Sequence, residues 1–278
     1  MTNRLSCRAA VLGLPVIFTV GAGLYYVLGV GWLPWALLPV PMLVWLIAAP
    51  GRNSPWVALV PFLILLLCYQ SLSVFSWSLE VTAIHVVQLI EWERMGAAGV
   101  IPAAVLQRHL GGPIATWLID PLSNLLYLSH FVTPVVIGLV LWKGKRRLYW
   151  EFVAGFLFLS FLGFATYILF PAAPPWWASE RGYLEGLEQV GLDRFLLAGV
   201  TANQAPNPVA AVPSLHCAYP LYFFLILRPL LGKRSGWLLL LTFGIVFSVV
   251  YLGHHYLIDA WIGFAYALAG WGFVRFLK

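Results

Sequence analysis

Two histidines and a carboxylate interrupt an apolar stretch near the end of the chain, Tyr251-Leu-Gly-His-His-Tyr-Leu-Ile-Asp259. If the chain is helical from residue 255 onward, His255 and Asp259 are one helical turn apart and share a face. A carboxylate beside an imidazole fixes its tautomer and raises its basicity, as a nucleophile or general base requires. Because ionisable residues inside apolar spans are rare and usually functional, this pair is a candidate catalytic site.

A second candidate, Pro213-Ser-Leu-His216, opens another apolar run. Proline suits the first turn of a helix, and the amides there form an anion site favoured by the helix dipole. From His216 the chain runs for one span, turns at Lys233-Arg234 and returns to His255, so both histidines should lie at the same membrane boundary. A nucleophile, an acid for the leaving group and donors for charged oxygens suit phosphoryl transfer. These residues leave open which histidine attacks, although the adjacent Asp259 favours His255.

The elements that position these residues follow from composition. The chain has 278 residues, of which 62% are hydrophobic and 9% charged, with a mean hydropathy of +0.88. This composition indicates an all-α, polytopic helical membrane protein. Cys7, Cys68 and Cys217 form no paired pattern, so we expect no disulfide, no metal site and no cofactor. Arg4 and Arg8 precede an apolar run without a convincing cleavage site, which predicts an uncleaved first span rather than a signal peptide.

About eight spans are predicted from the apolar runs. They are residues 9–29, 31–49, 56–78, 121–142, 149–171, 213–231, 236–253 and 256–277. The second is the least regular, because Pro34, Pro39 and Pro41 would kink it, and half of a re-entrant hairpin is the alternative. Since no linker or internal repeat interrupts the chain, we expect one integral membrane domain over 1–278.

The distribution of basic residues predicts the orientation. With eight spans and both termini in the cytoplasm, twelve of the sixteen Lys and Arg residues fall on the inner face. Only Arg94, Arg108, Arg181 and Arg194 fall outside. The net charge of +6 is thereby explained by membrane topology, and nucleic-acid binding is not needed. The same topology places His216 and His255 at the outer, extracytoplasmic face.

Two long segments, 79–120 and 172–212, would also lie outside. Val81–Arg94 and Ile101–Leu110 are too short or too polar to span and are typical of helices lying in the interface. The turn Phe170-Pro-Ala-Ala-Pro-Pro-Trp-Trp177 is rigid and rich in interfacial aromatics. Loops of this length are usually functional, so we expect a lid or a substrate-entry role.

The two histidine motifs resemble the second and third signatures of the type 2 phosphatidic acid phosphatase superfamily. Three further pieces are similar to its inositol phosphorylceramide synthase branch, the branch of the fungal aureobasidin target and its bacterial relatives. They are Tyr127-Leu-Ser-His-Phe131, Phe170-Pro-Ala-Ala-Pro-Pro-Trp176 and Asn207-Pro-Val-Ala-Ala-Val-Pro-Ser-Leu-His216. The resemblance covers residues 100–270 and implies the superfamily's six-helix core, whereas the spans within 1–78 carry no signature.

The resemblance implies a metal-independent double displacement in a bacterial inner or cell membrane. His255 would attack phosphorus to form a phosphohistidine, and Asp259 would orient His255. His216 would protonate the departing oxygen and then deprotonate the incoming hydroxyl or water. The expected partners are a phospholipid donor, a hydroxyl-bearing acceptor and the bilayer. The predicted reaction transfers a phosphoinositol-like head group; hydrolysis of phosphatidic acid or a polyprenyl phosphate is the alternative.

The chain departs from the parent superfamily where that superfamily carries cations. Its first signature supplies a Lys and an Arg-Pro, but the corresponding place here reads Tyr167-Ile-Leu-Phe-Pro171. Its third begins Ser-Arg, whereas Ser248 is followed by Val249. A cradle with fewer cations favours a phosphodiester over the more highly charged phosphomonoester.

Several polar residues are candidates for binding the substrate in place of those cations. They are Ser214, His130, Asn207, His254, Tyr251 and Arg108. His130 would lie inside the fourth span, where a packing histidine is the alternative to a pocket-lining one. Asn207 could instead build the turn before Pro208. Asp120 is expected to be a cap or an interfacial residue, and His85 and His109 to be solvated residues on interfacial helices.

Two other classes of membrane protein, di-iron enzymes and transporters, also place polar residues inside apolar spans. Membrane di-iron enzymes use histidine boxes, but six histidines, three of them scattered, are too few for that arrangement. A transporter would explain the spans and the buried polar groups. It would not explain the pairing of Pro213-Ser-Leu-His216 with His255 and Asp259, and solute flux that survives substitution of both histidines would favour it.

Overall fold

The computed structural model describes residues 7–9, 11, 13, 15, 55–77, 83–112, 115–191, 207 and 209–278. In these ranges the secondary structure is helical, with isolated β-bridges and no strand longer than one residue. The α-helices are α1 (Pro55–Trp77), α2 (Val87–Gly96), α3 (Pro102–Leu110), α4 (Asp120–Gly144), α5 (Arg146–Leu169), α6 (Pro175–Glu180), α7 (Leu215–Leu231), α8 (Gly236–Tyr251) and α9 (Leu257–Phe276). A π-helical turn, Ala115–Ile119, precedes α4.

The prediction of an all-α membrane fold is confirmed. Four helical stretches in the described part of the chain are long and apolar enough to cross a bilayer: Trp117–Gly144, Arg146–Leu169, Leu215–Tyr251 and Leu257–Phe276. The third contains two predicted spans, because the 3-10 turn Gly232–Ser235 separates α7 from α8. The predicted span 56–78 corresponds to α1, whose apolar part is shorter. The predicted spans 9–29 and 31–49 lie outside the described residues, apart from a few positions at the start of the first.

The two predicted interfacial helices are present, but the first begins later than expected. Helix α2 starts at Val87, not at Val81, because His85 is extended and pairs with the chain around Ala172. The His85 amide donates to the Pro171 carbonyl at 2.8 Å. His85 therefore lies in an extended segment and not on a helix as expected; it is half-buried, and its ring stacks on Phe170 with 3.9 Å between ring centroids. His109 is exposed on α3, as expected.

The chain divides into two compact units. The first comprises Met1–Ser78, Phe131–Ala165 and Leu268–Lys278. Its described core is aromatic: Phe152 and Phe156 stack at 5.9 Å, and the Tyr149 hydroxyl donates to the Ala58 carbonyl at 3.0 Å. At its end, Lys278 forms an ion pair with Glu151 at 2.7 Å.

The second unit comprises Leu79–His130 and Thr166–Ala267, and it contains every predicted site residue. Three extended segments meet in it, because Ala172 bridges both His85 and Ala210. Helix α6 and the loop after it bind the turn between α8 and α9: the Trp176 amide of α6 donates to the Gly253 carbonyl at 3.0 Å, and the Val190 amide of the loop donates to the Leu252 carbonyl at 3.2 Å. The segment 172–190 therefore supports the turn that carries the two adjacent histidines.

Candidate active site

His255 and His216 lie side by side although 39 positions separate them in the chain. The Nε2 atom of His255 is 3.3 Å from the Nδ1 atom of His216. His216 stands in the first turn of α7, and His255 stands in the turn immediately before α9. The structure thus brings together the two histidine motifs that the sequence predicted to share one membrane boundary.

The surroundings of His255 determine its tautomer. Its Nδ1 atom lies 2.8 Å from the Ala211 carbonyl oxygen and 3.4 Å from Oδ2 of Asp259. Both neighbours accept hydrogen bonds, so Nδ1 carries the proton and Nε2 carries the lone pair. Nε2, the nitrogen facing His216, is therefore the one able to attack an electrophile.

Asp259 is fully buried, and its carboxylate serves two groups at once. Oδ2 accepts the Tyr256 amide at 2.8 Å and lies beside the imidazole of His255. Helix α9 begins at Leu257 rather than at residue 255, so His255 and Asp259 are not on consecutive turns of one helix as predicted. The side chains nevertheless meet, because the bond to Tyr256 folds the turn back onto the first residues of the helix.

The starts of α7 and α9 are held together through Ser214. Its amide donates to the backbone carbonyl of Asp259 at 3.0 Å, and its hydroxyl accepts the Cys217 amide at 3.4 Å as the N-cap of α7. The Tyr167 hydroxyl donates to the Pro213 carbonyl at 2.7 Å. Tyr167, at the place of the superfamily's first cationic signature, therefore supports the chain entering α7. The predicted contact of Ser214 with substrate stays a prediction, since its hydroxyl caps the helix.

Gly263 permits the close approach of α9 to Ser214. A Cβ atom added at Gly263 would lie 2.3 Å from the Ser214 carbonyl oxygen, a backbone atom that cannot rotate away. Only glycine allows this contact without moving the start of α7, which carries His216.

We predict that Gly263→Ala displaces α7 from α9. The expected result is a loss of about 1–3 kcal/mol in stability, typical of an overpacked core, with activity falling further because His216 moves from His255. Melting temperature and turnover in detergent would measure the two effects. Gly272→Ala, on the same helix with open space at its Cβ position, is the matched control. Equal behaviour of the two variants would contradict the prediction.

Aromatic and imidazole rings form one wall of the site. His216 stacks on Tyr127 at 4.5 Å, and His130 lies 4.0 Å from His216, measured between ring centroids. Tyr127 also stacks on His254 at 4.6 Å, and His130 stacks on Tyr219 at 4.5 Å. His130 and His254 thus stand next to His216 and His255; their contact with a substrate remains a prediction.

Burial keeps His254 neutral. Loss of hydration, reinforced by the nearby His255, lowers the pKa of His254 from 6.5 to about 3. At physiological pH a neutral imidazole offers one donor and one acceptor, with no net charge. His254 therefore offers hydrogen bonds and no positive charge, so it does not replace the missing cations.

The remaining residues predicted to bind substrate bond to other parts of the protein or lie on its surface. Oδ1 of Asn207 accepts the Val209 amide at 3.1 Å, so Asn207 builds the turn before α7. The Tyr251 hydroxyl donates to Oδ1 of Asp120 at 2.5 Å. Arg108 is exposed on α3 and makes no hydrogen bond with the site among the described residues. Asp120 is buried at the start of α4, where its side chain accepts the Tyr251 hydroxyl, and the expectation of a cap or an interfacial residue stays a prediction.

Two residues beside the site, Gln107 and Glu93, were not predicted from the sequence. Gln107 donates to the carbonyls of Tyr251 at 2.7 Å and Glu188 at 2.8 Å, and it accepts the Glu188 amide at 2.9 Å. Glu93 is only 2% exposed and accepts the amides of Leu257 and Ile258. A signal for Glu93 existed: it lies on the same helical face as the buried Leu89, and a lone acid on an apolar face indicates a buried partner.

Among the described residues, no group of three His, Cys, Asp or Glu side chains has the arrangement of a metal site. The fold and the site define the class: a polytopic helical membrane protein with a pair of adjacent histidines and a buried aspartate where its helices begin. The sequence matches the PAP2 superfamily over residues 114–273, and the chain belongs to that superfamily.

Two relatives extend the comparison. The chain is 33% identical over 238 residues to the phosphoinositol dihydroceramide synthase of Bacteroides thetaiotaomicron, covering 79% of this chain and 76% of the relative. It is 28% identical over 235 residues to the inositol phosphorylceramide synthase of Candida albicans, covering 74% of this chain and 48% of that protein. The sequence-based resemblance to the superfamily and to this branch is confirmed. No solved structure gives a significant match.

Proposed function

We propose that this protein transfers a phosphoinositol-like head group from a phospholipid to the hydroxyl of a ceramide-type lipid. The observation that carries the proposal is the pairing of His255 Nε2 with His216 Nδ1 at 3.3 Å, with the opposite nitrogen of His255 facing Ala211 and Asp259. The names of the two relatives support the choice of head group and acceptor.

In the first step, the phosphate group of the donor lipid enters between His255 and His216 and moves the two imidazoles apart. The Nε2 lone pair forms the nitrogen–phosphorus bond while the bond from phosphorus to the lipid oxygen breaks. That oxygen takes a proton from His216, which enters the step as the imidazolium and leaves it neutral, and the oxygen departs as an alcohol. Asp259 stabilises the positive charge that develops on His255, since its carboxylate is buried beside Nδ1.

In the second step the acceptor hydroxyl takes the place of the departed alcohol. Its oxygen attacks phosphorus, its proton passes to His216, and the nitrogen–phosphorus bond breaks to restore neutral His255. The proton that His216 gives in the first step is returned to it in the second. No oxidation state changes in the cycle, and the proposed steps use these side chains without a metal ion.

The charge of the site supports a phosphodiester as the donor. In the described ranges, the ion pair of Asp259 is with His255 and includes no Lys or Arg. The stretch at the place of the superfamily's first signature, Tyr167-Ile-Leu-Phe-Pro171, contains no Lys or Arg, and the position of the third signature's Arg holds the buried Val249. A phosphodiester carries one negative charge, so it needs fewer cations than a phosphomonoester does.

The same proposal places the site at the extracytoplasmic face, with both termini in the cytoplasm. Lys233 and Arg234 lie in the turn at the opposite end of α7 and α8 from His216 and His255. Because basic loops remain in the cytoplasm, this turn supports an outward-facing site.

The test is incubation of the purified protein with mixed lipids, with and without inositol phospholipids, in the presence of a ceramide. Mass spectrometry should detect a new inositol phosphodiester of the ceramide together with diacylglycerol, only when both lipids are supplied. Free phosphate as the sole product would support a lipid phosphatase and contradict the transferase. Chelators should leave the rate unchanged.

We predict that Asp259→Asn lowers turnover by about 10²-fold, less than the roughly 10⁴-fold loss caused by the wrong tautomer in a serine protease triad. The reason is that the Ala211 carbonyl, at 2.8 Å from Nδ1, still fixes the tautomer of His255. Asparagine can also keep the bond to the Tyr256 amide. Steady-state kinetics measures the loss, and inactivation as complete as that of His255→Ala would contradict this division of roles.

A further inference from the structure

Helix α9 starts two residues after the proposed nucleophile, and its first amides need acceptors. A helix leaves its first four N–H groups without partners inside the helix. A Ser, Asp or Asn at the N-cap usually satisfies some of them, but the residue before Leu257 is Tyr256. Asp259, at the third position of the helix, turns back to the Tyr256 amide as in a capping box, and it also faces His255.

Glu93 supplies the missing acceptors from a distant helix. One oxygen of its carboxylate accepts the Leu257 amide at 2.8 Å, and the other accepts the Ile258 amide at 2.9 Å. Glu93 lies on α2 with Leu89 and Ile90 on the same buried face. A carboxylate that accepts two N–H groups at a helix start is also favoured by the helix dipole.

The backbone of His255 is therefore held on both sides. On the preceding side, the amides of His254 and His255 donate to the Val249 carbonyl of α8 at 3.0 and 3.1 Å. On the following side, the two amides after Tyr256 are held by Glu93. The direction in which α9 leaves the turn sets the position of Asp259 relative to the imidazole.

We propose that Glu93 is a positioning residue, which fixes the start of α9 so that Asp259 and His255 keep their reactive geometry. This inference rests on the proposed phosphoryl transfer for its effect on rate. It goes beyond that transfer because Glu93 touches neither substrate nor reacting atoms; it acts only through the amides of Leu257 and Ile258.

The test compares Glu93→Gln and Glu93→Leu with Glu91→Gln, in the full-length protein. Glutamine keeps one acceptor oxygen, and leucine keeps none. Glu91 is an exposed acid on the same helix, so its substitution removes the same charge without touching α9. Since a misplacement of about 1 Å can cost 10²-fold in rate, we expect kcat to fall about 10-fold in Glu93→Gln and about 100-fold in Glu93→Leu. KM for the donor lipid should stay within about twofold, and Glu91→Gln should match the native protein.

Amide hydrogen exchange gives a second readout that does not depend on activity. Exchange at Leu257 and Ile258 should accelerate in both Glu93 variants, while the amides of α7 and α8 should keep their native rates. Native exchange at these two amides, or a native kcat in Glu93→Leu, would overturn the inference. A general acceleration across α7 and α8 with a raised KM would also overturn it, because it would show a merely structural role.

Failure of the proposed function would be distinguishable from failure of this inference. A His255→Ala variant that still transfers head groups would contradict the mechanism, whereas the exchange rates of Leu257 and Ile258 would still decide whether Glu93 holds the helix start.

Discussion

Substitution of His255 by alanine is expected to lower head-group transfer by about 10⁴-fold or more, as loss of a nucleophile does in other covalent enzymes. His255 presents a lone pair at Nε2, and its opposite nitrogen, Nδ1, lies beside two acceptors, the Ala211 carbonyl and Asp259. His216 lies 3.3 Å away, with its Nδ1 atom facing the Nε2 atom of His255, which is the arrangement expected of an acid and base that serves the nucleophile.

The direct measurement is a trapped phosphoenzyme. A donor lipid carrying radioactive phosphorus should label the native protein in a bond that acid cleaves and alkali does not, as expected of phosphohistidine. His255→Ala should show no label. His109→Ala is the matched control, because His109 is exposed on α3 and should leave both labelling and turnover unchanged. Persistence of the label in His255→Ala would show that another residue is the nucleophile.

The sequence predicted the centre of the site because its residue types and spacing are chemically unusual. His216, His255 and Asp259 are polar residues in apolar spans, and the turn at Lys233-Arg234 places the two histidines at one boundary. The distribution of charges and the lengths of apolar runs are visible in the sequence itself, so they predict membrane topology without knowledge of which segments are in contact. The same reasoning predicted the helices from α1 to α9, apart from the short α6 and the later start of α2.

The supporting contacts could not be predicted, because they depend on tertiary pairing. Ala211 acts through a backbone carbonyl, which every residue possesses, so its residue type carries no signal. Glu93 reaches amides 164 and 165 positions further along the chain. His85 was expected in a helix, but its pairing with Ala172 overrides that local preference. Only the apolar face around Glu93 offered a hint.

Loss of the acid and base is expected to be the second-largest effect, and its size should depend on the leaving group. Replacing His216 by phenylalanine should lower turnover of a natural donor lipid by about 10³-fold, within the range of general acid–base catalysis. Phenylalanine keeps a ring between Tyr127 and His130, whose centroids lie 4.5 and 4.0 Å from that of His216, so the aromatic wall is preserved. The loss should then reflect the proton rather than the packing.

A donor with a nitrophenol leaving group separates the two roles of His216, because nitrophenolate departs without a proton. With this donor, His216→Phe should form the phosphoenzyme at nearly the native rate and release one equivalent of nitrophenolate in a burst. The second step should still be slow, since no base removes the proton of the acceptor hydroxyl, and the phosphoenzyme should accumulate. Rapid-mixing absorbance and quantification of the labelled protein measure both steps. If His216→Phe loses the burst as completely as it loses turnover of the natural lipid, His216 orients His255 instead of moving protons, and the 3.3 Å contact between the two rings is structural.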